Sequence, residues 1–241
     1  MAAVVLCAAL CGCTAQPRAD DAGVGADGVH DPYEAANRRV HAFNTTLDAK
    51  VVRPLSRSVK GGGDEDGPLT VVSNVSRNLS LPGKVVNSLL QGRAEPAARN
   101  LTRFVINTTL GLGGIHDPAG REFGLTESDT DFGETLHVWG APEGAYLELP
   151  VLGPSSERDL AGRVVDWVIN PTSRWLNHDQ RNAARVMKVL SKAGDRARFG
   201  STVDSILHES ADSYAQTRLL YMQHRRYELG QEAEIIDPYT D

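Results

Sequence analysis

Cysteine is almost missing from this 241-residue chain: it occurs only at Cys7, Cys11 and Cys13. The remainder can therefore hold no disulfide, no cysteine-ligated zinc and no cysteine nucleophile. Basic residues are in the minority, 25 Lys and Arg against 31 Asp and Glu, for a net charge of −6. A nucleic-acid binder shows a basic excess or a basic stripe, and this chain shows neither. No segment reaches the roughly 20 apolar residues that a membrane-spanning helix needs. The signatures of catalysis are missing as well. There is no Gly-x-Ser-x-Gly elbow. Gly111, Gly113 and Gly114 follow a helical pattern, not the strand a dinucleotide loop requires. Gly61–Gly63 lacks the Lys-Ser/Thr of a phosphate loop. His208-Glu209 begins like a zinc-protease helix, but Asp212 stands where the second His belongs. The histidines are scattered, and Asp129 and Asp131 sit among turn residues, where loop capping is their expected role. The chain thus reads as neither an enzyme nor a holder of a metal or cofactor.

What is present begins at the N-terminus. Residues 2–12 form an apolar run with the length of a signal-peptide core. It ends in Leu10-Cys11-Gly12-Cys13, which resembles a bacterial lipobox: an aliphatic residue, two small ones, then the cysteine that is acylated. The expected products are a leader over 1–12 and a lipid on Cys13. The first basic residue is Arg18, so the charged opening of a leader is missing. Each buried methylene contributes about 0.8 kcal/mol, so three acyl chains would hold the protein to its membrane. Thr14 after the cysteine, in place of Asp, favours the outer membrane. Residues 13–30, rich in Ala, Gly and Asp, read as a flexible tether. Gly61–Pro68 reads as a surface linker between helical pieces.

The rest is mostly helical in pattern. Hydrophobic content is 41% and charged content 23%, enough for a core. Asp31-Pro32 reads as a helix cap with Pro at the first helical position, ahead of Val40, Phe43, Leu47 and Val51 at helical spacing. Arg53-Pro54 interrupts or kinks that segment. Pro82 reads as the start of a short helix carrying Val85, Val86, Leu89 and Leu90, with Gly92 at its C′ position. Pro96 starts another. Its pattern places Ala97, Leu101, Phe104, Val105 and Thr108 inward, and Arg99, Asn100, Arg103 and Asn107 away. Ser155, Ser156 and Asp159 open a helix over Leu160, Val164, Trp167 and Val168 that Pro171 ends. Residues 173–192 are moderately helical, and 201–229 form the longest amphipathic run, closed by Gly230. Between Phe132 and Pro154 a structured loop or hairpin is expected, with Tyr146–Leu149 alternating like a short strand that Pro150 stops. The expected class is mainly α, with compact amphipathic helices and one Gly/Pro-rich loop or short hairpin.

Ordered blocks then carry a likeness. They are Asp31-Pro32-Tyr33-Glu34-Ala35-Ala36-Asn37-Arg38, Phe43-Asn44 and Val52-Arg53-Pro54, followed by Asn78-Leu79, Pro82, Asn87 and Leu90-Gln91-Gly92. Next come Arg103-Phe104, Asn107-Thr108, Gly111, Gly113-Gly114, Asp117 and Ala119-Gly120, and then Asp131-Phe132-Gly133 through Trp139-Gly140, Gly144, Tyr146, Leu149-Pro150, Gly153-Pro154 and Arg158-Asp159. Arg218, Tyr221, Gln223 and Arg225 close the series. Together they resemble the MlaA (VacJ) family of outer-membrane lipoproteins. The likeness implies a ring-like helical domain over 31–230, before a tail at 231–241, anchored in the periplasmic leaflet of the outer membrane. It implies an amphipathic channel that passes mislocalised phospholipid from the outer leaflet to a periplasmic lipid-carrier protein, maintaining lipid asymmetry without a cofactor. It also implies association with an outer-membrane porin trimer. The alternative is a structural or assembly partner of a porin without transport.

By the same likeness, a loop over 139–146 with Trp139, Gly140, Gly144 and Tyr146 is the candidate channel gate, and Trp139 and Tyr146 suit a water–lipid boundary. Phe43, Asn44, Asn107, Gly111, Gly113 and Gly114 are the candidate lipid-path or turn residues. Arg99 and Arg103 are candidates to meet phosphate headgroups, with a solvated helix face as the plainer reading. Releasing two acyl chains into water costs on the order of 20 kcal/mol. A sheltered apolar route with a polar track lowers that barrier without any nucleophile, base or metal.

Overall fold

The computed structural model describes residues 28–59, 68–169, 177–179, 182, 194, 196 and 199–231. The leader, Cys13, most of the tether, the 61–67 linker and most of 173–192 lie outside the described residues. Helix α1 (Glu34–Leu47) passes through a π turn (Asp48–Val52) into α2 (Arg53–Val59). Helices α3 (Pro68–Leu90), α4 (Ala94–Thr109) and the single turn α5 (Pro118–Arg121) follow. Helix α6 (Phe132–Val138) leads to a hairpin of β1 (Tyr146–Leu149) and β2 (Gly153–Ser156), then α7 (Glu157–Ile169). Helix α8 (Gly200–Asp204), a second π turn (Ser205–Glu209) and α9 (Ser213–Glu228) complete it.

Neighbours touch in series. The α2–α1 arm meets β1, and β2 leads on to α7 and α9. Helix α7 packs on α6, α6 on α3, α3 on α4 and α4 on α5. Helices strung in this order around a hairpin give the mainly α, ring-like architecture, not a bundle with one centre. Among the described residues no helix is long and apolar enough to cross a membrane.

The hairpin is the hub. It is antiparallel, with Tyr146 opposite Ser156 and Leu149 opposite Gly153. A lone two-stranded sheet is marginal in water, and here side chains of α1 cover the open edge of β1. The Asn37 amide donates to Tyr146 O (3.0 Å) and its oxygen accepts Glu148 N–H (2.9 Å). One heptad on, Asn44 donates to Leu149 O (3.0 Å) and accepts Val151 N–H (2.8 Å). Two asparagines thus do what a third strand would do. Val29 and His30, expected in the tether, belong to the domain: Val29 is buried in the core, and Tyr146 N–H donates to His30 O (2.9 Å).

Several boundaries differ from the periodicity. Pro82 lies inside α3 and is buried, because the helix begins at Pro68 and continues through it. A 23-residue helix can lose one backbone hydrogen bond at a proline and persist. Asp31 does not cap α1; Tyr33 occupies the cap position and Asp31 turns inward. The 201–229 run is broken at Ser210, whose backbone is extended, and Asp212 caps a new helix through Ala215 N–H (3.0 Å). Ser155 and Ser156 belong to β2, though the Ser156 hydroxyl still accepts Asp159 N–H (3.1 Å) as a helix cap would.

The crossing of α6 on α7 needs two glycines. A Cβ on Gly162 would lie 2.3 Å from Gly133 N, and one on Gly133 would lie 2.6 Å from the Asp159 carboxylate. Backbone cannot yield as a side-chain tip can, so Gly162→Ala should destabilise by about 1–3 kcal/mol. Thermal melts of the detergent-solubilised protein test this. Gly140→Ala, at a φ of +87° with open space around it, should cost about 1 kcal/mol from backbone strain alone.

Candidate functional site

The helices are turned inside out relative to a water-soluble protein. In α4 the buried face is Ala97, Asn100, Arg103 and Asn107, while Leu101 and Val105 are 50% and 51% exposed. The expectation that Leu101 and Val105 face inward and Asn100, Arg103 and Asn107 away is therefore reversed. The polar face has partners that explain the reversal. Asn100 pairs in both directions with the backbone of Ser128, donating to its carbonyl (2.8 Å) and accepting its N–H (3.1 Å). Arg103 grips both oxygens of Asp117 (3.0 Å each) and donates to Leu125 O. Asn107 donates to the same carboxylate (2.7 Å) and accepts Ala119 N–H (3.0 Å). Arg103, so held, is not a headgroup ligand; Arg99 pairs with Glu95 at the surface.

The pattern recurs. Helix α1 buries Asn37 and His41 and the π turn buries Asp48, while Phe43 and Val51 are exposed. Helix α7 buries Arg158, Asp159 and Gly162 and shows Val164, Trp167 and Val168 outward, Trp167 with 73% exposure. Among the described residues, buried polar and charged side chains outnumber buried apolar ones. Large apolar side chains stand outside on α1, α4, the Gly111–Ile115 turn, the hairpin tip at Val151-Leu152 and α7. Exposed apolar patches of this breadth mark a membrane or protein surface.

The buried polar groups form closed networks. Asp31 accepts from Asn37 (2.9 Å), Arg218 (2.6 Å) and the Tyr214 hydroxyl. Tyr146, 0% exposed, donates to Glu148 (2.5 Å) and meets Tyr214 and Tyr221 edge-on. Arg225 bridges Asp131 (2.7 Å) and Asp159 (3.1 Å), and the Tyr221 hydroxyl donates to Asp159 (2.5 Å). Burial works against the Asp117 and Asp159 carboxylates, yet hydrogen bonds from Asn107, Gly120 N–H and Arg103, and from Tyr221 and Arg225, hold both below the usual range. Arg196 and His208 do the same for Asp48 against its burial. The Arg38 fork holds Asp212 at about 2. Depressed carboxylates stabilise a fold above their unfolded values and lose that contribution as pH falls through the folded ones. The melting temperature should therefore hold down to about pH 4 and fall between about pH 4 and 2; melts at pH 7, 4, 3 and 2 measure it.

Two clusters invite other chemistry. Asp48, Asp204 and His208 bring ligand atoms within 4.8 Å of one another. The Arg196 guanidinium already spans both Asp48 oxygens (3.0 and 3.1 Å) and reaches Asp204, so a cation stands where a metal would compete. A cleft of about 530 Å³ between α1 and the start of α9 is lined by Arg38, His41, Asp212 and Ser213, among others. There His41 lies 3.1 Å from the Ser213 hydroxyl and 3.6 Å from Glu148. That order resembles a hydrolytic triad. However, Asp212 already takes the N–H groups of Tyr214 and Ala215 that an oxyanion would need.

The sequence-nominated residues fall into three sets. Phe43 is exposed beside Asn44, which clamps the hairpin. Asn107 meets the glycine turn, where Gly114 N–H donates to Asn107 O (2.8 Å) and His116 N–H to Gly111 O (3.0 Å). Gly113 and Gly114 have φ of +76° and +95°, and a Cβ on Gly114 would strike Asn78 at 2.6 Å. Trp139 is exposed, donates to Leu90 O (3.1 Å) and stacks edge-on with Phe132. Gly140 and Gly144 turn the loop at φ of +87° and +74°. Tyr146 is not at a water–lipid boundary; its aromatic contacts and Glu148 draw it into the core.

A sequence model of the MlaA lipoprotein family matches residues 29–228. The chain belongs to the MlaA lipoprotein family. Among relatives, an uncharacterised protein of Rickettsia bellii is 35% identical over 198 residues, 82% of this chain and 76% of that one. The "Intermembrane phospholipid transport system lipoprotein MlaA" of Escherichia coli K12 is 31% identical over 209 residues, 85% of this chain and 80% of the relative. A solved structure described as "Structural basis for maintenance of bacterial outer membrane lipid asymmetry" shares 28% identity at a TM-score of 0.70, covering 83% of this chain and 98% of that one. The MlaA match starts at Val29, where the described domain also has its first core residue. The interior networks missed by periodicity use MlaA-block residues, including Asp31, Asn37, Arg103, Asp117, Asp159 and Arg225. One signal was available: the supposed outward face of α4 carries Asn100 and Asn107 beside its two arginines, with no Lys or Glu among the four.

Proposed function

We propose that the protein is a non-enzymatic outer-membrane lipoprotein that moves mislocalised phospholipid from the outer leaflet to a periplasmic lipid-carrier protein, maintaining lipid asymmetry. The observation that carries this reading is the inversion. Helices that are not long and apolar enough to span a bilayer turn apolar faces outward and close their polar groups inward, as a protein lying in one leaflet must. Cys13 supplies the anchor in the periplasmic leaflet, and the exposed apolar surface offers a porin trimer a docking face. The loop from Trp139 to Ala145, turned at Gly140 and Gly144 and ending at the buried Tyr146 of β1, gates the lipid path. The family's phospholipid-transport relatives and the solved structure on outer-membrane lipid asymmetry support the reading. Deleting the gene should raise outer-leaflet phospholipid and detergent sensitivity, and a plasmid copy should restore both. A deletion strain with unchanged outer-leaflet phospholipid overturns it.

A further inference from the structure

Most buried arginines of the described fold have acceptors. Arg103 has Asp117, Arg196 has Asp48 and Asp204, and Arg218 has Asp31. Arg158, at the start of α7, differs. Its side chain is 2% exposed, and its Nε and Nη2 have no hydrogen-bond partner. The nearest carboxylate oxygen, Asp159 Oδ1, lies 3.7 Å away and already accepts from Arg225 (3.1 Å). A buried cation with two unpaired nitrogens is costly, and a guanidinium fork matches the oxygens of a phosphate.

The surroundings suit an anion. His137 on α6 is held below its ordinary value by burial and then by the charge of Arg158, with Arg225 and Arg93 adding and Glu134 opposing. The backbone over the start of α7 is the 139–145 loop: Arg158 N–H donates to Glu143 O (3.3 Å) and Glu157 N–H to Ala145 O (3.0 Å). Arg226 pins the loop from the far side through Glu143 (3.0 Å). Val138 and Trp139, both exposed, put apolar surface at the other end of the same loop.

We infer that Arg158 is a receiving site for a phosphate group, reached when the 139–145 loop lifts, with Val138 and Trp139 beside it to take apolar chain. The chemistry is shared by a phospholipid headgroup and free inorganic phosphate, and the site rests on the phospholipid reading above only for its choice between them. The test uses the full chain in detergent, with short-chain phosphatidylglycerol, inorganic phosphate and a phosphate-free diacylglycerol as probes. Wild-type protein should bind phosphatidylglycerol about tenfold or more tightly than Arg158→Met does, while diacylglycerol binding is unchanged by the substitution. Arg158→Met should also melt no lower than wild type, because a buried charge has been removed; a purely structural arginine would give the opposite. In wild-type protein either phosphate probe should raise the His137 pKa followed by NMR, a readout that does not depend on the variant folding. Inorganic phosphate matching the lipid in affinity supports the site and assigns it to the free ion. Equal phosphatidylglycerol binding by both proteins, or an unmoved His137, overturns it. Failure here with transport intact removes the site alone, and loss of transport with phosphate binding intact removes the transport reading alone.

Discussion

Asp31→Ala should be the most damaging single substitution in the fold. Its carboxylate is buried and accepts from Asn37, Tyr214 and Arg218 at once. Removing it takes from the buried Arg218 guanidinium its 2.6 Å carboxylate partner, with Glu34 next at 3.8 Å, and breaking a buried pair in this way costs about 3–5 kcal/mol. For a domain of this size that is roughly 6–20 °C in melting temperature. The loss should exceed that of Tyr214→Phe, which removes one hydrogen bond worth about 1 kcal/mol. It should also exceed that of Asp31→Ala combined with Arg218→Met, because the double variant removes both members of the buried pair. Melts of the four proteins in detergent give the comparison. A double variant less stable than Asp31→Ala would show that Arg218 contributes through packing rather than charge.

The second large effect is functional and should leave the fold alone. Leu101 and Val105 stand on the outward face of α4, with their polar neighbours holding Asp117 and Ser128 on the other side. In Leu101→Lys with Val105→Lys, both changes fall on exposed positions, so stability in detergent should move by about 0.5 kcal/mol or less. In a bilayer each lysine costs up to about 2.5–3.5 kcal/mol at full depth. The double variant should melt normally yet fail to restore outer-leaflet lipid asymmetry to a deletion strain. Full restoration would place α4 in water.

Much of this was legible in the sequence, and the unread part has one physical cause. Helix-stopping glycines at Gly92, Gly111 and Gly230 fall where the chain's punctuation placed them, and Tyr146–Leu149 is the strand its alternation suggested. Periodicity in α1, α4 and α7 located an apolar stripe correctly. It could not say on which side water lay, because a 3.6-residue period is the same whether the stripe meets a core or a bilayer. That single ambiguity reversed Asn100, Arg103 and Asn107 and hid the Asp117 network. Pro82 reads as a helix start and yet lies inside α3, because a proline marks a helix start and a tolerated interior position alike. The break at Ser210 was hidden because apolar spacing continues across it while Asp212 restarts the helix. Networks built from distant blocks, such as Asp131, Asp159 and Arg225, have no local signature at all.

On the proposed function, the outward apolar faces of these helices lie in lipid. Nitroxide labels placed singly at Val105, Val164 and Trp167 of the full chain, in vesicles of outer-membrane phospholipid, test it directly. Relaxation by oxygen and protection from a water-soluble nickel chelate are expected at all three positions, with the reverse at exposed Asp179. Ready relaxation by the chelate at Val105 and Trp167 would mean that those faces are wet, and the inside-out reading would be wrong.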